Sequence, residues 1–149
     1  MVDVTINEVE LSKNRRDEYS LFISHSWDYE DDYERLVDLL EEKNYFQFRN
    51  YSVPQEEEID ASSNAELRQH LREKQIGPSS VVLVLAGMYS EHSYWIKKEM
   101  QIAEDLGKSI VGVKPWGQER TPEEVKDAAD TMVGWNGGSI VDAIRTNAP

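Results

Sequence analysis

The helix predicted around position 99 carries a glutamate, Glu99, among its apolar residues. When successive residues are placed about 100° apart around a helix, Glu99 falls near the middle of an apolar stripe. The stripe consists of Ile96, Met100, Ile102, Ala103 and Leu106. A carboxylate there must be ion-paired, protonated or beside a cavity that receives a polar ligand, because burying an isolated charge is costly. Glu99 is therefore either half of a structural salt bridge, with Lys97, Lys98 or an arginine elsewhere in the chain, or a functional carboxylate.

A second polar feature, Ser24-His25-Ser26-Trp27, follows the first predicted strand. Small polar residues in such a place usually form hydrogen bonds with the local backbone. In an open α/β sheet, however, ligands bind beyond the carboxyl ends of the strands, beside the point where the strand order reverses, and this segment falls there. Neighbouring strand residues point to opposite faces, so Ser24 and His25 are poorly placed to act as a nucleophile and its base. A serine hydrolase is therefore disfavoured.

Several other chemistries are disfavoured by the residues present. The chain has no cysteine, and its histidines, His25, His70 and His92, do not have ligand spacing, so no metal site is predicted. No glycine-rich phosphate loop follows any predicted strand, which disfavours nucleoside triphosphate hydrolysis and flavin binding. A phosphoacceptor domain of this topology needs an aspartate at the end of the third strand, which here reads Leu85-Ala86-Gly87-Met88.

The elements that must position these residues alternate between strand and helix. Five strands are predicted, at residues 19–24, 45–51, 81–86, 109–114 and 132–135. The continuous apolar strand at 81–86 is typical of a parallel sheet that is covered on both faces. The alternation predicts an α/β fold with a doubly wound, five-stranded, mostly parallel sheet, strand order 2-1-3-4-5 and helices on both faces.

Helix boundaries follow from capping and breaking residues. A capping-box pattern begins the second helix at Ser63, and Gly77-Pro78 ends it. Ser93 opens the third helix and Gly107 closes it. Pro122 is predicted at the first position of the fourth helix, where its missing N–H costs nothing. A final helix is predicted at residues 139–145.

The length of 149 residues indicates one domain, with residues 19–149 as the folded unit and residues 1–18 as a partly ordered lead-in. The net charge of -13 disfavours binding to nucleic acid or to an anionic membrane, since both would repel it. The longest apolar run, at 81–88, is far shorter than the roughly 20 residues that span a bilayer, and no secretory signal is recognised. We therefore expect a cytoplasmic protein.

The topology also predicts where a pocket lies. The carboxyl ends of the first and third strands should meet the start of the third helix at the point of strand reversal. We therefore expect Ser24, Trp27, Tyr89 and Glu99 near a common cavity. A Glu99 on the far side of its helix, remote from Ser24, would contradict this prediction.

Three segments resemble the TIR-like domains of bacteria and archaea. They are Phe22-Ile23-Ser24-His25-Ser26, Tyr51-Ser52-Val53-Pro54 and Ser93-Tyr94-Trp95-Ile96-Lys97-Lys98-Glu99. The spacing of Trp95 and Glu99 is the most specific part, because this glutamate is the catalytic residue in TIR enzymes. The closing residues 134–136 and 139–141 are similar to the subgroup that includes the TIR-like protein of the Thoeris antiphage system. The resemblance covers residues 19–145, and the family's flavodoxin-like fold agrees with the predicted strand order.

The resemblance implies an NAD glycohydrolase or ADP-ribosyl cyclase that acts in antiphage defence. Such an enzyme cleaves the bond between nicotinamide and ribose and hydrolyses or cyclises the ADP-ribose moiety to a nucleotide signal. Glu99 is implied as the catalytic residue, NAD is the substrate, and neither a separate cofactor nor a metal is expected. The substrate-binding residues expected around Glu99 are Phe22, Ser24, His25, Trp27, Tyr89 and Trp95. Expected partners are a second copy of the chain or another TIR or effector protein, and the alternative function is a non-catalytic TIR-like interaction module.

Overall fold

The computed structural model describes residues 18–24, 30–52, 72–86, 93–114 and 121–149. The strands in these ranges are β1 (Tyr19–Ser24), β2 (Phe48–Asn50), β3 (Val81–Leu85), β4 (Ser109–Val113) and β5 (Thr131–Val133). They form one sheet in the order β2-β1-β3-β4-β5, in which every neighbouring pair is parallel. The predicted α/β, flavodoxin-like fold with strand order 2-1-3-4-5 is therefore confirmed.

The helices connect these strands. They are α1 (Glu30–Glu41), α2 (Ser93–Asp105), α3 (Glu123–Ala128) and α4 (Gly137–Asn147), together with a short helical segment at 72–76. Gly107 has a φ of 70° and ends α2 in the left-handed conformation, as its position in the sequence predicts. In the described part of the chain, no helix is both long enough and apolar enough to cross a membrane.

Two helix starts differ from the prediction. Pro122 is the N-cap of α3 rather than its first helical residue, because its ψ of 140° is extended. Helix α4 begins at Gly137, two residues earlier than predicted, because Asn136 caps it by accepting a hydrogen bond from the Ser139 amide. The predicted start of the second helix at Ser63 and residues 1–17 of the predicted lead-in at 1–18 lie outside the described residues.

The centre of the sheet forms the hydrophobic core. All residues of β3 are buried, and since successive strand residues point to opposite faces, both faces of this strand are covered. Helix α2, with Ile96, Met100 and Ala103 buried, packs against β1, β3 and β4. Helix α4 packs against β4, β5 and α1. Full burial of a Val, Leu or Ile side chain contributes about 1.5 to 3 kcal/mol, so the central strands and α2 are firmly held together.

The strand order reverses at β1. Strand β2 pairs along one edge of β1, with Phe48 beside Tyr19, and β3 pairs along the other edge, with Val84 beside Ser24. The crevice in which open α/β sheets bind ligands lies outside the carboxyl end of such a strand. Ser24 is the last residue of β1 and therefore borders this crevice.

Candidate active site

Helix α2 places Glu99 in the interior of the protein, with an exposed fraction of 4%. Residues three and four positions apart share one face of a helix, and Ile96 and Ala103 on either side of Glu99 are buried as well. Leu106, which the periodicity places in the same stripe, is instead 45% exposed, because α2 ends at Asp105. Glu99 therefore lies on the buried face of α2, which packs on the sheet.

Both carboxylate oxygens of Glu99 accept a hydrogen bond from a buried side chain. The Ser24 hydroxyl donates to Oε1 over 2.6 Å, and Arg72 Nε donates to Oε2 over 2.6 Å. Hydrogen bonds to an ionised partner are shorter than neutral ones and roughly twice as strong. We call these three residues the Ser24–Glu99–Arg72 cluster. It joins β1, α2 and the 72–76 segment, which are far apart in the sequence.

The ion-pair partner of Glu99 is Arg72. Of the two lysines considered as partners from the sequence, Lys97 is exposed and Lys98 is half-buried, and both lie on other sides of α2. Arg72 is 2% exposed. Arg72 is not among the residues predicted from the sequence as part of the site. One signal could have found it: Arg72 lies four residues before the apolar Ile76, and residues at this spacing share one face of a helix.

Local contacts fix the 72–76 segment that carries the arginine. Ile76 is fully buried and anchors the segment in the core. The Gly77 amide donates to the Glu73 carbonyl over 2.9 Å, which closes the last helical turn. The Ser79 hydroxyl and amide both donate to the Ile76 carbonyl, over 2.6 and 2.9 Å. Arg72 is thus presented to Glu99 from a segment whose end is held by its own hydrogen bonds.

Opposing influences act on the charge of Glu99. Burial raises the pKa of its carboxyl group, while the positive charge of Arg72 and the hydrogen bonds from Ser24 and Arg72 act in the opposite direction. The net direction is upward, because removing a carboxylate from water disfavours the ionised form. The ionised state of Glu99 therefore depends on Arg72 and Ser24.

The contacts within the cluster do not use all the acceptor sites of Glu99. An ionised carboxylate has about four acceptor sites on its two oxygens, and the contacts with Ser24 and Arg72 use one on each oxygen. Because Ser24 borders the crevice at the end of β1, Oε1 is the oxygen on that side. A carboxylate with unused acceptor sites has the chemistry to accept hydrogen bonds from hydroxyl groups or to stabilise a positive charge.

A family model described as the TIR-like domain of the Thoeris protein ThsB matches residues 22–120. This range is more than half of the chain and contains Ser24, Arg72 and Glu99. The chain belongs to the ThsB TIR-like family. The resemblance drawn from the sequence is thereby confirmed. The chain matches no curated protein.

The ThsB TIR-like match begins within β1, where the structure describes two of the predicted substrate-binding residues, Phe22 and Ser24. Ser24 contacts Glu99 directly. Phe22 is 1% exposed and lies two residues before Ser24, and therefore on the same face of β1. The other predicted site residues fall outside the described part of the structure: His25, Trp27, Tyr89 and, for its side chain alone, Trp95. Their roles stay predictions.

A further residue of the ThsB-type domain, Ser52, holds the end of β1 in place. Its hydroxyl oxygen accepts a hydrogen bond from the Ile23 amide over 2.9 Å, directly before Ser24, a predicted site residue. Its own amide donates to Asn50 Oδ1 over 2.9 Å. Ser52 belongs to one of the segments that resemble TIR-like domains, and no role is predicted for it from the sequence. Its place directly after a strand, two residues after an asparagine, is the signal of such a local turn.

A separate cavity of about 220 Å³ lies between the 72–76 segment and another side of α2. Its lining residues are Glu73, Lys98, Gln101, Ile102, Asp105 and Leu106. None of them belongs to the Ser24–Glu99–Arg72 cluster. The described ranges contain no group of three or more His, Asp or Glu side chains that could hold a metal ion.

Proposed function

We propose that this TIR-like protein cleaves the bond between nicotinamide and ribose in NAD, with Glu99 as the catalytic carboxylate. The ADP-ribose moiety is then hydrolysed or cyclised to a nucleotide signal in antiphage defence. One observation carries the proposal: the buried carboxylate of Glu99 is hydrogen-bonded to Ser24 at the carboxyl end of β1, where this fold binds ligands. Membership of the ThsB TIR-like family supports it.

The proposed reaction needs one carboxylate. Cleavage breaks the bond between C1′ of ribose and the ring nitrogen, and the electron pair of that bond goes to nicotinamide. Nicotinamide is positively charged in NAD and leaves as a neutral molecule, so no general acid is required. The ribose becomes an oxocarbenium-like cation, as in glycoside cleavage. Water, or an atom of the ADP-ribose itself, bonds to C1′ and loses a proton, which gives the linear or the cyclic product.

Glu99 suits this chemistry through its charge and its fixed position. A negative charge held in a water-poor site stabilises a developing cation far better than one in bulk water. The two hydrogen bonds of the cluster fix both carboxylate oxygens before substrate binds. The remaining acceptor sites can receive the ribose hydroxyl groups and orient the sugar.

The ion pair favours a second candidate function, a non-catalytic TIR-like interaction module. Arg72 and Glu99 are both buried and paired at 2.6 Å, which is also what a purely structural salt bridge requires. In that case the protein acts by binding a second copy of itself or another TIR or effector protein, and Glu99 has no substrate. The two functions differ in whether nicotinamide is released from NAD.

Nicotinamide release and product analysis test the proposal directly. The wild-type protein is incubated with NAD over a range of protein concentrations, because self-association is one of the proposed interactions. Glu99→Gln keeps the size of the side chain and removes its charge. Glu104→Gln makes the same change at an exposed position of α2 and is the matched control.

We expect wild type and Glu104→Gln to release nicotinamide at similar rates and Glu99→Gln to lose at least about 100-fold, the scale of removing a stabiliser of transition-state charge. Circular dichroism establishes that each variant is folded. A folded Glu99→Gln protein that cleaves NAD at the wild-type rate would refute the catalytic role of Glu99. A wild-type protein that releases no nicotinamide at any concentration would leave the interaction module as the function.

A further inference from the structure

We propose that Arg72 is a positioning residue for the catalytic carboxylate: it holds Glu99 ionised and oriented, with Oε1 toward Ser24 and the crevice. This inference rests on the proposed function, since it concerns the same site. Arg72 contacts Glu99 and acts through it.

The orientation follows from which atoms are bonded. Arg72 contacts Glu99 through Nε and reaches Oε2, while Ser24 reaches Oε1. A glutamate side chain has three rotatable bonds, and two short contacts on different oxygens fix the plane of its carboxylate. Gln75 accepts a hydrogen bond from Arg72 Nη1 over 3.4 Å and restrains the guanidinium in turn. Oε1 is thereby the oxygen turned toward the end of β1.

Arg72 also opposes protonation of Glu99, because few other charged groups among the described residues lie near this carboxylate. Strands β3 and β4, which pack against α2, contain no ionisable side chain, and β1 contains only Tyr19, at the end opposite Ser24. Glu73 and Lys74 follow Arg72 in the 72–76 segment and are exposed. The other ionisable residues of α2 lie at exposed or half-buried positions and are Tyr94, Lys97, Lys98, Glu104 and Asp105. Within the described ranges, Arg72 is therefore the buried charge that opposes protonation of Glu99.

Loss of this charge has a direction that can be measured. Without Arg72 the carboxylate stays buried, and burial raises its pKa, so Glu99 takes up a proton at higher pH. The protonated acid cannot stabilise the ribosyl cation, and the acidic limb of the rate profile moves to higher pH. A merely structural arginine would change the folded fraction without moving this limb.

The test compares Arg72→Met, Arg72→Lys and Arg35→Met. Methionine removes the charge while keeping an unbranched side chain, and lysine keeps the charge but lacks the planar guanidinium. Arg35 is exposed on α1, so Arg35→Met is the matched control. For each protein, kcat and KM for nicotinamide release are measured from about pH 5 to about pH 9, and circular dichroism gives the folded fraction.

We expect the ratio of kcat at about pH 8 to kcat at about pH 6 to be about tenfold larger in Arg72→Met than in wild type. Arg72→Lys should keep the wild-type pH profile and lose about tenfold in kcat, because its point charge does not fix the carboxylate plane. Arg35→Met should match wild type. A folded Arg72→Met protein with the wild-type profile overturns the inference. If Arg72→Met does not fold, an Arg72→Lys protein whose kcat equals that of wild type overturns the inference.

The variant Glu99→Gln separates the two proposals. If wild type and Glu99→Gln release nicotinamide equally, Glu99 is not the catalytic carboxylate and the role of Arg72 fails with it. If neither releases any, NAD cleavage itself is refuted as well. If wild type is active, Glu99→Gln is inactive and Arg72→Met keeps the wild-type pH profile, the proposed function stands and only the role of Arg72 is refuted.

Discussion

Replacement of Arg72 by methionine should destabilise the fold, and the loss should grow as the pH rises. Arg72 and Glu99 are 2% and 4% exposed, and their contact is 2.6 Å. Removing one partner of such a pair leaves a buried charge without compensation, which costs about 3 to 5 kcal/mol of unfolding free energy. We expect this loss at about pH 8, where the uncompensated carboxyl group is least readily protonated.

The pH dependence follows from linkage. In Arg72→Met the native pKa of Glu99 lies above its raised value in wild type, because the opposing charge of Arg72 is absent. Between these two native pKa values the variant binds a proton in the folded state that the wild type does not. Raising the pH through this window therefore destabilises the variant relative to wild type. At acidic pH, where Glu99 is protonated in both proteins, the loss should be smallest.

A second substitution tests whether the cause is the unpaired charge. In Arg72→Met/Glu99→Met the buried ion pair becomes an apolar pair, an exchange that is often neutral or stabilising. The Ser24 hydroxyl loses its acceptor in this variant, which costs about 1 to 3 kcal/mol. We therefore expect the double variant to recover part of the stability lost in Arg72→Met and to show a flat pH dependence.

Urea unfolding followed by circular dichroism at about pH 5.5 and about pH 8 measures these differences. Arg35→Met, on the exposed side of α1, should stay within about 0.5 kcal/mol of wild type at both values. An equal loss of unfolding free energy in Arg72→Met at the two pH values would show that the unpaired charge of Glu99 is not the cause. A double variant that is less stable than Arg72→Met at about pH 8 would show the same.

Two further expectations concern the same fold. Burial raises the native pKa of Glu99, so wild type should lose stability relative to Glu99→Gln as the pH rises from the ordinary pKa of 4.5 through the native pKa. Urea unfolding of both proteins at several pH values measures how their difference in unfolding free energy changes with pH. A difference that changes in the opposite direction would contradict the expectation. Asn136→Ala removes the acceptor for the Ser139 amide at the start of α4 and should lower the unfolding free energy by about 0.5 to 2 kcal/mol. Asn136→Asp is its control, since aspartate caps equally well, and equal stability of all three proteins would show that this cap contributes nothing.

The sheet could be predicted because its central strands are specified by local composition. A continuous apolar run such as β3 needs cover on both faces wherever it lies in the fold. The edge strand β2 is predicted less well: residues 45–51 are predicted as a strand, whereas the observed strand is Phe48–Asn50, with Gln47 and Tyr51 at its ends also joined to β1 by backbone hydrogen bonds. Tyr45 has a φ of 60°, which no strand accommodates. Phe46 is nevertheless buried, because it stacks on Tyr19 from a loop with the ring centroids 5.4 Å apart.

Part of the candidate site can likewise be predicted from local sequence, and part depends on tertiary packing. Glu99 can be identified as a candidate from the sequence because a carboxylate within an apolar helical stripe would be buried and would need a partner for its charge. Its proximity to Ser24 follows from the topology, which brings the end of β1 beside α2. Arg72 is different, since it lies 27 residues from Glu99 and its pairing depends on the tertiary packing of the 72–76 segment. The spacing of Arg72 and Ile76 indicates a buried face and does not identify the partner.

The sequence alone presents a structural salt bridge and a functional carboxylate as alternatives for Glu99, but the geometry makes them compatible. Arg72 bonds one oxygen, Ser24 bonds the other, and acceptor sites are left on both. A buried ion pair is also a weak means of stabilising a fold, because well-packed apolar residues generally serve as well or better. Its place beside the end of β1, where ligands bind in open α/β sheets, is typical of a group whose charge is used in chemistry. The ion pair therefore does not count against the proposed catalytic role of Glu99, and Arg72 opposes the rise in the pKa of Glu99 that burial causes.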